Sequence, residues 1–248
     1  MKTSSSSLEI LFEDGDYVCI NKTAGLLTLP DRFDPAIPNL YHILGERYGE
    51  IFVVHRIDKQ TSGVIAFAKN ADAHKALNAQ FENHRIQKKY VVLVQGILKE
   101  AEGSINLPIG ENSGKAGTMK IDTVHGKESV TKYKVIERFV SFTLVEAEPL
   151  SGRTHQIRVH FKAIGHPLAV DEIYGNTEGI KLSSLKKNYK LKPGSLEKPL
   201  ISRLTLHARS LRFSHFRSQN ELTIEAPLPK DFESVIKQLR KLNPVALL

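Results

Sequence analysis

Two short, largely apolar runs open the chain, Leu8 to Phe12 and Tyr17 to Asn21, and read as strands joined by the turn Glu13-Asp14-Gly15-Asp16. The spacing turns helical at Asn39 to Tyr48, where Leu40, Ile43 and Leu44 share a helical face behind Asn39 as N-cap. Two short apolar runs follow, Ile51 to Val54 and Gly63 to Ala68, both with the look of buried strands. Asn70 to His84 is helical again, capped by Asn70 and with Ala73, Ala76, Leu77 and Phe81 on one side. Lys88 to Val94 is a nearly continuous apolar strand, which implies cover on both faces.

Gly103 to Gly117, rich in glycine and polar residues, predicts a long hairpin with a mobile tip. Ser129 to Phe139 and Phe142 to Glu148 predict strands, with Val130, Tyr133 and Val135, then Phe142, Leu144 and Ala147, as core candidates. In Gly152 to Gly165 the spacing of Ile157, Phe161 and Ile164 suits a helix stopped by Gly165, although local alternation also fits a strand. Residues 176–203 form a lysine-rich insertion with Lys181, Lys186, Lys187, Lys190, Lys192 and Lys198, read as a surface excursion. Leu204 to Phe213 and Glu221 to Ala226 return to strands. Asp231 to Leu242 closes with an amphipathic helix that turns Phe232, Val235, Ile236 and Leu239 inward.

Composition narrows the class. The 248 residues are enough for one large catalytic domain or two small ones, and one over 8–248 is the simpler expectation, behind a disordered tail at 1–7. Lys and Arg total 35 against 27 Asp and Glu, a net charge of +8 that favours a polyanion such as nucleic acid. Cys19, alone in the chain, cannot form an intrachain disulfide and reads as a buried small hydrophobe. No Cys/His pair has zinc spacing and no G-x-x-x-x-G-K loop occurs, which points away from metal-dependent and nucleotide-driven enzymes. Ser4 to Ser7 and Glu9 break up any signal-peptide core, and no apolar run has membrane-spanning length, so the expectation is a cytoplasmic protein without membrane partners.

Candidate chemistry concentrates in two charged knots. In Val54-His55-Arg56-Ile57-Asp58-Lys59-Gln60-Thr61-Ser62-Gly63, Arg56, Asp58 and Lys59 fall on the turn between two buried strands. A carboxylate between two cations is held ionised, as a nucleophile or general base must be; a turn with a surface ion pair would look the same. In the second knot a helix starting near Thr154 would put Arg153 at its entrance, and a solvated basic face of Arg153, Arg158 and His160 is the bland reading. His155 and His166 read as structural histidines, since no carboxylate or third histidine shares metal spacing with them.

His55-Arg56-Ile57-Asp58 with Thr61-Ser62-Gly63 and Phe67-Ala68-Lys69 resembles the catalytic motif of RluA-like RNA pseudouridine synthases. Further matches follow in order: Asn21-Lys22-Thr23-Ala24-Gly25-Leu26-Leu27, Lys88-Lys89-Tyr90, Ser151 to His160, Gly165-His166-Pro167-Leu168, Tyr174-Gly175 and Leu206-His207-Ala208. Thr23 departs from the usual proline of that family. The resemblance implies an α+β fold, a single catalytic domain around a mixed, mainly antiparallel sheet with flanking helices. It implies isomerisation of uridine in structured ribosomal or transfer RNA by a monomer with no metal and no cofactor. Asp58 would be the nucleophile or sugar-deprotonating base, Arg153 its paired cation, and Tyr90 the residue that stacks on uracil and handles the C5 proton. Arg56 would fill the base stack that the flipped uridine vacates, and Lys22, His55, Thr61, Gln156 and Arg158 would complete substrate binding. Relatives that carry an extra N-terminal RNA-binding domain differ from the expectation here, where the catalytic domain supplies the grip on RNA. A non-catalytic RNA-binding or chaperone protein on the same fold is the alternative reading.

Overall fold

The structure, a computed structural model, describes residues 8–191 and 194–244, so the expected tail at 1–7 and Lys192 of the insertion lie outside the described residues. Its first elements are β1 (Glu9–Glu13), β2 (Tyr17–Lys22), α1 (Leu40–Tyr48), β3 (Phe52–Val53), β4 (Ser62–Ala68) and α2 (Ala71–Glu82). Next come β5 (Gln87–Gln95), β6 (Glu102–Asn106), β7 (Ile109–Glu111), β8 (Met119–Ile121), β9 (Val130–Arg138) and β10 (Phe142–Pro149). The chain ends with α3 (Gln156–Ala163), α4 (Leu182–Leu185), β11 (Leu206–Ser214), β12 (Glu221–Glu225) and α5 (Lys230–Leu242). These elements fall into two compact units: the chain up to Lys89 together with His207–Pro227, and Tyr90–Leu206 together with the chain from Leu228 onward.

In the first unit, β1 and β2 form the expected hairpin, and β2 runs antiparallel to β4 from Tyr17 opposite Ala68 to Lys22 opposite Gly63. The other edge of β4 is shared. β3 pairs antiparallel with Phe67 and Ala68, while β11 pairs parallel with Ser62 and Gly63 and carries β12 on its far side. The sheet is therefore mixed. Every residue of β4 is buried, and α2 packs over β3 and β4 with Ala73 and Leu77 inward. Both helices start where the sequence suggested: the side chain of Asn39 accepts the His42 N–H at 3.0 Å, and that of Asn70 accepts the Ala73 N–H at 2.9 Å. Gly63 has φ +113°, and a Cβ placed there would lie 2.1 Å from the Ala208 carbonyl oxygen. Only glycine permits that approach of two backbones.

The second unit has an antiparallel sheet in the order β5, β10, β9, β6. Alternation along β5 feeds two cores. Val91 and Leu93 meet Phe232, Val235, Ile236 and Leu239 of α5, while Val92 and Val94 meet Ile157 and Phe161 of α3. This confirms the continuous apolar run as a strand covered on both faces. On β9 the α3 side receives Tyr133 and Val135, with buried Thr131 in the same row. Val130, expected in the core, has the opposite parity and is half-buried.

The helix–strand ambiguity at 152–165 resolves as α3. It ends with Gly165 at φ +81°, whose N–H donates to the Lys162 carbonyl at 3.0 Å while the His166 N–H donates to that of Phe161 at 2.9 Å. Two further expectations need correction. The hairpin predicted at 103–117 divides, β6 joining β9 and the hairpin itself being β7 and β8 around residues 112–118. The insertion is not wholly a surface excursion, because Ile180 pairs with Ile201, and both are buried with Leu185 in the α5 core. Lys186, Lys187, Lys190 and Lys198 on it are exposed. Among the described residues no helix is long and apolar enough to cross a membrane.

Candidate active site

In the first unit the chain leaves β3 after Val53 and reaches β4 through a loop that carries His55, Arg56, Asp58 and Thr61. Its backbone is fixed from several directions. The Thr61 N–H donates to the Asp58 carbonyl at 3.0 Å, closing a tight turn, and the Thr28 hydroxyl donates to the Ile57 carbonyl at 3.2 Å. Lys22 is fully buried, and its ammonium donates to the carbonyls of Leu26 at 2.7 Å, Lys59 at 2.9 Å and Thr23 at 3.2 Å. The Gly25 N–H reaches the same Lys59 carbonyl at 2.8 Å. A buried cation surrounded by carbonyls thus ties the loop after β2 to the loop that carries Asp58.

His55 works through its neutral form. Beyond Val53 the β3–β4 pairing stops, and the Ala66 N–H donates instead to His55 Nε2 at 3.0 Å. The ring stacks on Phe81 with centroids 4.8 Å apart. Burial, helped by the charge of Lys88, pushes its pKa down to about 3, so Nε2 accepts and the proton sits on Nδ1 at neutral pH. Burial also lowers the Lys88 ammonium to about 8. In the same loop Arg56 is exposed and Asp58 is half-buried. Thr61 is 2% exposed, and its hydroxyl has no hydrogen-bond partner among the described residues. An orphaned buried hydroxyl is uncommon in a structural position.

In the second unit Tyr90 stands opposite Ala147 on β10, the strand whose last residue, Pro149, leads into the Ser151–Arg153 loop. Gln156, the first residue of α3, holds that loop. Its Oε1 accepts from the Ser151 hydroxyl at 2.8 Å and the Arg153 N–H at 3.0 Å, and its Nε2 donates to the Val130 carbonyl at 3.0 Å and Thr131 Oγ1 at 3.1 Å. Arg153 is left exposed, its Nε donating to the Glu128 carbonyl at 3.3 Å.

Arg158 and His160 do not form a solvated face with it. Arg158 is buried in a bidentate pair with Asp171, Nε to Oδ2 at 2.8 Å and Nη2 to Oδ1 at 2.7 Å, and lies over the Tyr174 ring. Burial alone would raise the Asp171 carboxyl, but Arg158 together with the N–H groups of Ile173 and Tyr174 outweighs it and holds the carboxyl below the usual range. His160 is fully buried between Thr131 Oγ1 and the Leu107 carbonyl, each at 2.9 Å, and burial lowers its pKa. Asp171 and Thr131 escaped the sequence reading, since only their partners lie in the charged knot. The two other histidines are paired as structural residues: His155 Nδ1 with the Tyr174 hydroxyl at 2.9 Å and His166 Nδ1 with the Gln95 carbonyl at 2.8 Å.

Asp14, Asp16 and His215 bring possible metal-ligand atoms within 4.8 Å of one another in the first unit. Arg217 already binds both oxygens of Asp16, at 2.7 and 3.0 Å, and Asp14 receives His215 Nε2 at 2.9 Å. The cluster acts as a clamp between the β1–β2 turn and the segment after β11.

Both the sequence and the fold are similar to those of known proteins. The family model described as RNA pseudouridylate synthase matches residues 16–163. A Bacillus subtilis protein named uncharacterized RNA pseudouridine synthase YlyB is 38% identical over 94% of this chain and 73% of its own length. Ribosomal large subunit pseudouridine synthase D of Zymomonas mobilis is 35% identical over 94% of this chain and 73% of its own length. The solved structure of human RNA pseudouridylate synthase domain containing 1 matches with a TM-score of 0.68 and 27% identity, covering 97% of this chain and 98% of that one. The motifs around Asp58 and Arg153, the mixed sheet and these relatives agree: the chain belongs to the RNA pseudouridylate synthase family and is an isomerase acting on uridine in RNA.

Proposed function

We propose that this enzyme uses Asp58 to convert specific uridines to pseudouridine in structured ribosomal or transfer RNA, acting as a monomer without metal or cofactor. The name of the Zymomonas mobilis relative supports ribosomal RNA of the large subunit. The match over residues 16–163, which includes parts of both compact units, supports treating 8–248 as one functional domain. The observation that carries the reading is the fixation of the Asp58 turn by Thr61, Thr28 and buried Lys22 while the carboxylate-bearing side chain stays half-buried. Such a turn presents a nucleophile or base at little reorganisation cost.

The reaction breaks the N1–C1′ bond, turns the uracil and forms the C5–C1′ bond; C5 loses a proton and N1 gains one. Atoms and electrons balance without an oxidant. Asp58 attacks C1′ or removes a sugar proton, Tyr90 stacks on uracil and manages the C5 proton, and Arg153 supports the ionised form of Asp58. Exposed Arg56 enters the stack of the flipped base. The Thr61 hydroxyl, which has no partner among the described residues, binds the substrate beside Asp58. His55, Lys22, Gln156 and Arg158 serve binding by holding the loops that touch RNA.

Asp58→Asn keeps shape and removes the charge. Pseudouridine mapping of total RNA from cells expressing the variant in place of the wild type should lose every site made by this enzyme, with RNA binding in vitro retained. Wild-type modification by the variant would end the assignment.

A further inference from the structure

A groove opens on the surface of the second unit beside α3. It lies between the β7–β8 hairpin and the flank of that helix and has a volume of about 470 Å³, inside the roughly 300–1,000 Å³ span of small-ligand sites. Its floor is apolar, from Met119, Ile121, Val159 and Ile173. Exposed Lys115, Lys120 and Lys162 stand around it, and no Asp or Glu lines it among the described residues, although Asp122 lies 4.0 Å from Lys120.

The walls are rigid where they need to be. The Tyr174 hydroxyl accepts the Met119 N–H at 2.7 Å and meets His155 Nδ1 at 2.9 Å, so one side chain joins the hairpin to the start of α3. The cations of Arg158 and Lys162 stand 5.0 and 5.6 Å from the Tyr174 ring centroid. Ile109, Val159 and Tyr174 form a small buried core of their own beneath this surface.

We infer that this groove receives an unpaired nucleotide flanking the target uridine, its base on the Met119–Ile121–Val159 floor and its phosphates on Lys115, Lys120 and Lys162. An apolar floor with lysines around it fits a ligand with one apolar face and an anionic edge, which describes a nucleotide of a single strand. A free small anion would have no use for the floor. Lys162 lies six residues along α3 from Gln156, about 9 Å at 1.5 Å per residue, so the groove is a short step along the helix from the residue that holds the Arg153 loop. The inference rests on the reading of structured RNA as substrate and adds a specificity site to it.

The test uses a fluorescein-labelled single-stranded oligouridylate, with binding followed by anisotropy across a salt series. Three full-length proteins are compared: wild type, Lys115→Gln/Lys120→Gln/Lys162→Gln, and Ala163→Trp, which fills the groove from an exposed position. The triple variant should bind more weakly at low salt, with the slope of log K against log salt flattened by about 0.7 for each phosphate that is no longer neutralised. Ala163→Trp should lose on the order of tenfold in affinity, the scale of one displaced base, with the slope unchanged. Equal melting temperatures for all three exclude misfolding; if the Trp variant is unstable, Ala163→Leu replaces it.

Wild-type affinity and slope in the triple variant would overturn the inference, as would wild-type affinity with the groove filled. Retained oligouridylate binding with loss of a protein partner would also overturn it, by assigning the groove to protein. Pseudouridine formation by the wild type, measured separately, decides the enzymatic reading, so the two can fail independently.

Discussion

Replacing Gln156 by Met tests whether Arg153 acts from a held position. The side chain is of similar length, but it can neither accept from Ser151 and Arg153 nor donate to Val130 and Thr131. A neutral hydrogen bond contributes about 0.5–1.5 kcal/mol net, so four of them come to about 2–6 kcal/mol, and partners left dry push the cost toward the upper end. Urea melts should show a loss of that order with little change in m-value. Turnover should fall further, because the loop carrying Arg153 is freed from the start of α3. Single-turnover kcat of Gln156→Met should approach that of Arg153→Gln, and the double variant should be little worse than either alone. Gln156→Glu keeps the acceptors while placing a charge in a site only 4% exposed, so it should recover part of the activity at acidic pH, where the carboxyl is protonated. A Gln156→Met enzyme with wild-type kcat, or strictly additive losses in the double variant, would refute the positioning role.

Asp171→Asn takes the carboxylate charge out of the buried pair with Arg158 and should cost about 3–5 kcal/mol at neutral pH, read from denaturant melts. Because the folded carboxyl lies below its unfolded value, the wild-type advantage is full above an unfolded pKa of about 3.9 and is lost as pH falls through the folded one; a gap that widens in acid would contradict the pairing. Tyr90→Phe keeps the ring and should bind RNA within about threefold of wild type, since the ring supplies stacking of about 1–3 kcal/mol. If the phenol manages the C5 proton, that variant should rejoin uracil at C5 yet release tritium from C5-labelled uridine slowly, and wild-type release would reduce Tyr90 to a stacking surface.

Features written in local sequence were legible. Asn39 and Asn70 announce the starts of α1 and α2 because a short amide at an extended position competes for the first free N–H groups, whatever the tertiary surroundings. Gly165 does the same for the end of α3, and the apolar run of β5 implied cover on two faces without naming what supplies it. Partners distant in sequence were not legible. Arg158 and His160 look like surface cations until Asp171, Thr131 and Leu107 are folded against them, and nothing near Lys22 in sequence announces that the Lys59 carbonyl will receive its ammonium. Ile180 and Ile201 lie in a stretch dominated by lysines, and their pairing across the base of the insertion left no periodic trace. The motifs around Asp58 and Arg153 were enough to place the family, whereas the hydrogen bonds that hold their loops, those of Gln156 above all, were not readable from the motif.

Gly63 also governs the order in which the protein can assemble. Its backbone fits against Ala208, and the Ser62 hydroxyl meets His207 Nδ1 at 3.0 Å, a pairing between residues 145 apart in sequence. A chain leaving the ribosome exposes β4 long before β11 exists, so the parallel edge beside the Asp58 loop stays open while residues 90–206 are made. Contacts of such sequence separation form late, because a long loop must be closed before they give any return. The nascent chain therefore acquires its aspartate early and the frame around it only after residue 208 has emerged, which leaves a chain terminated before that point with the motif but without the completed edge beside it.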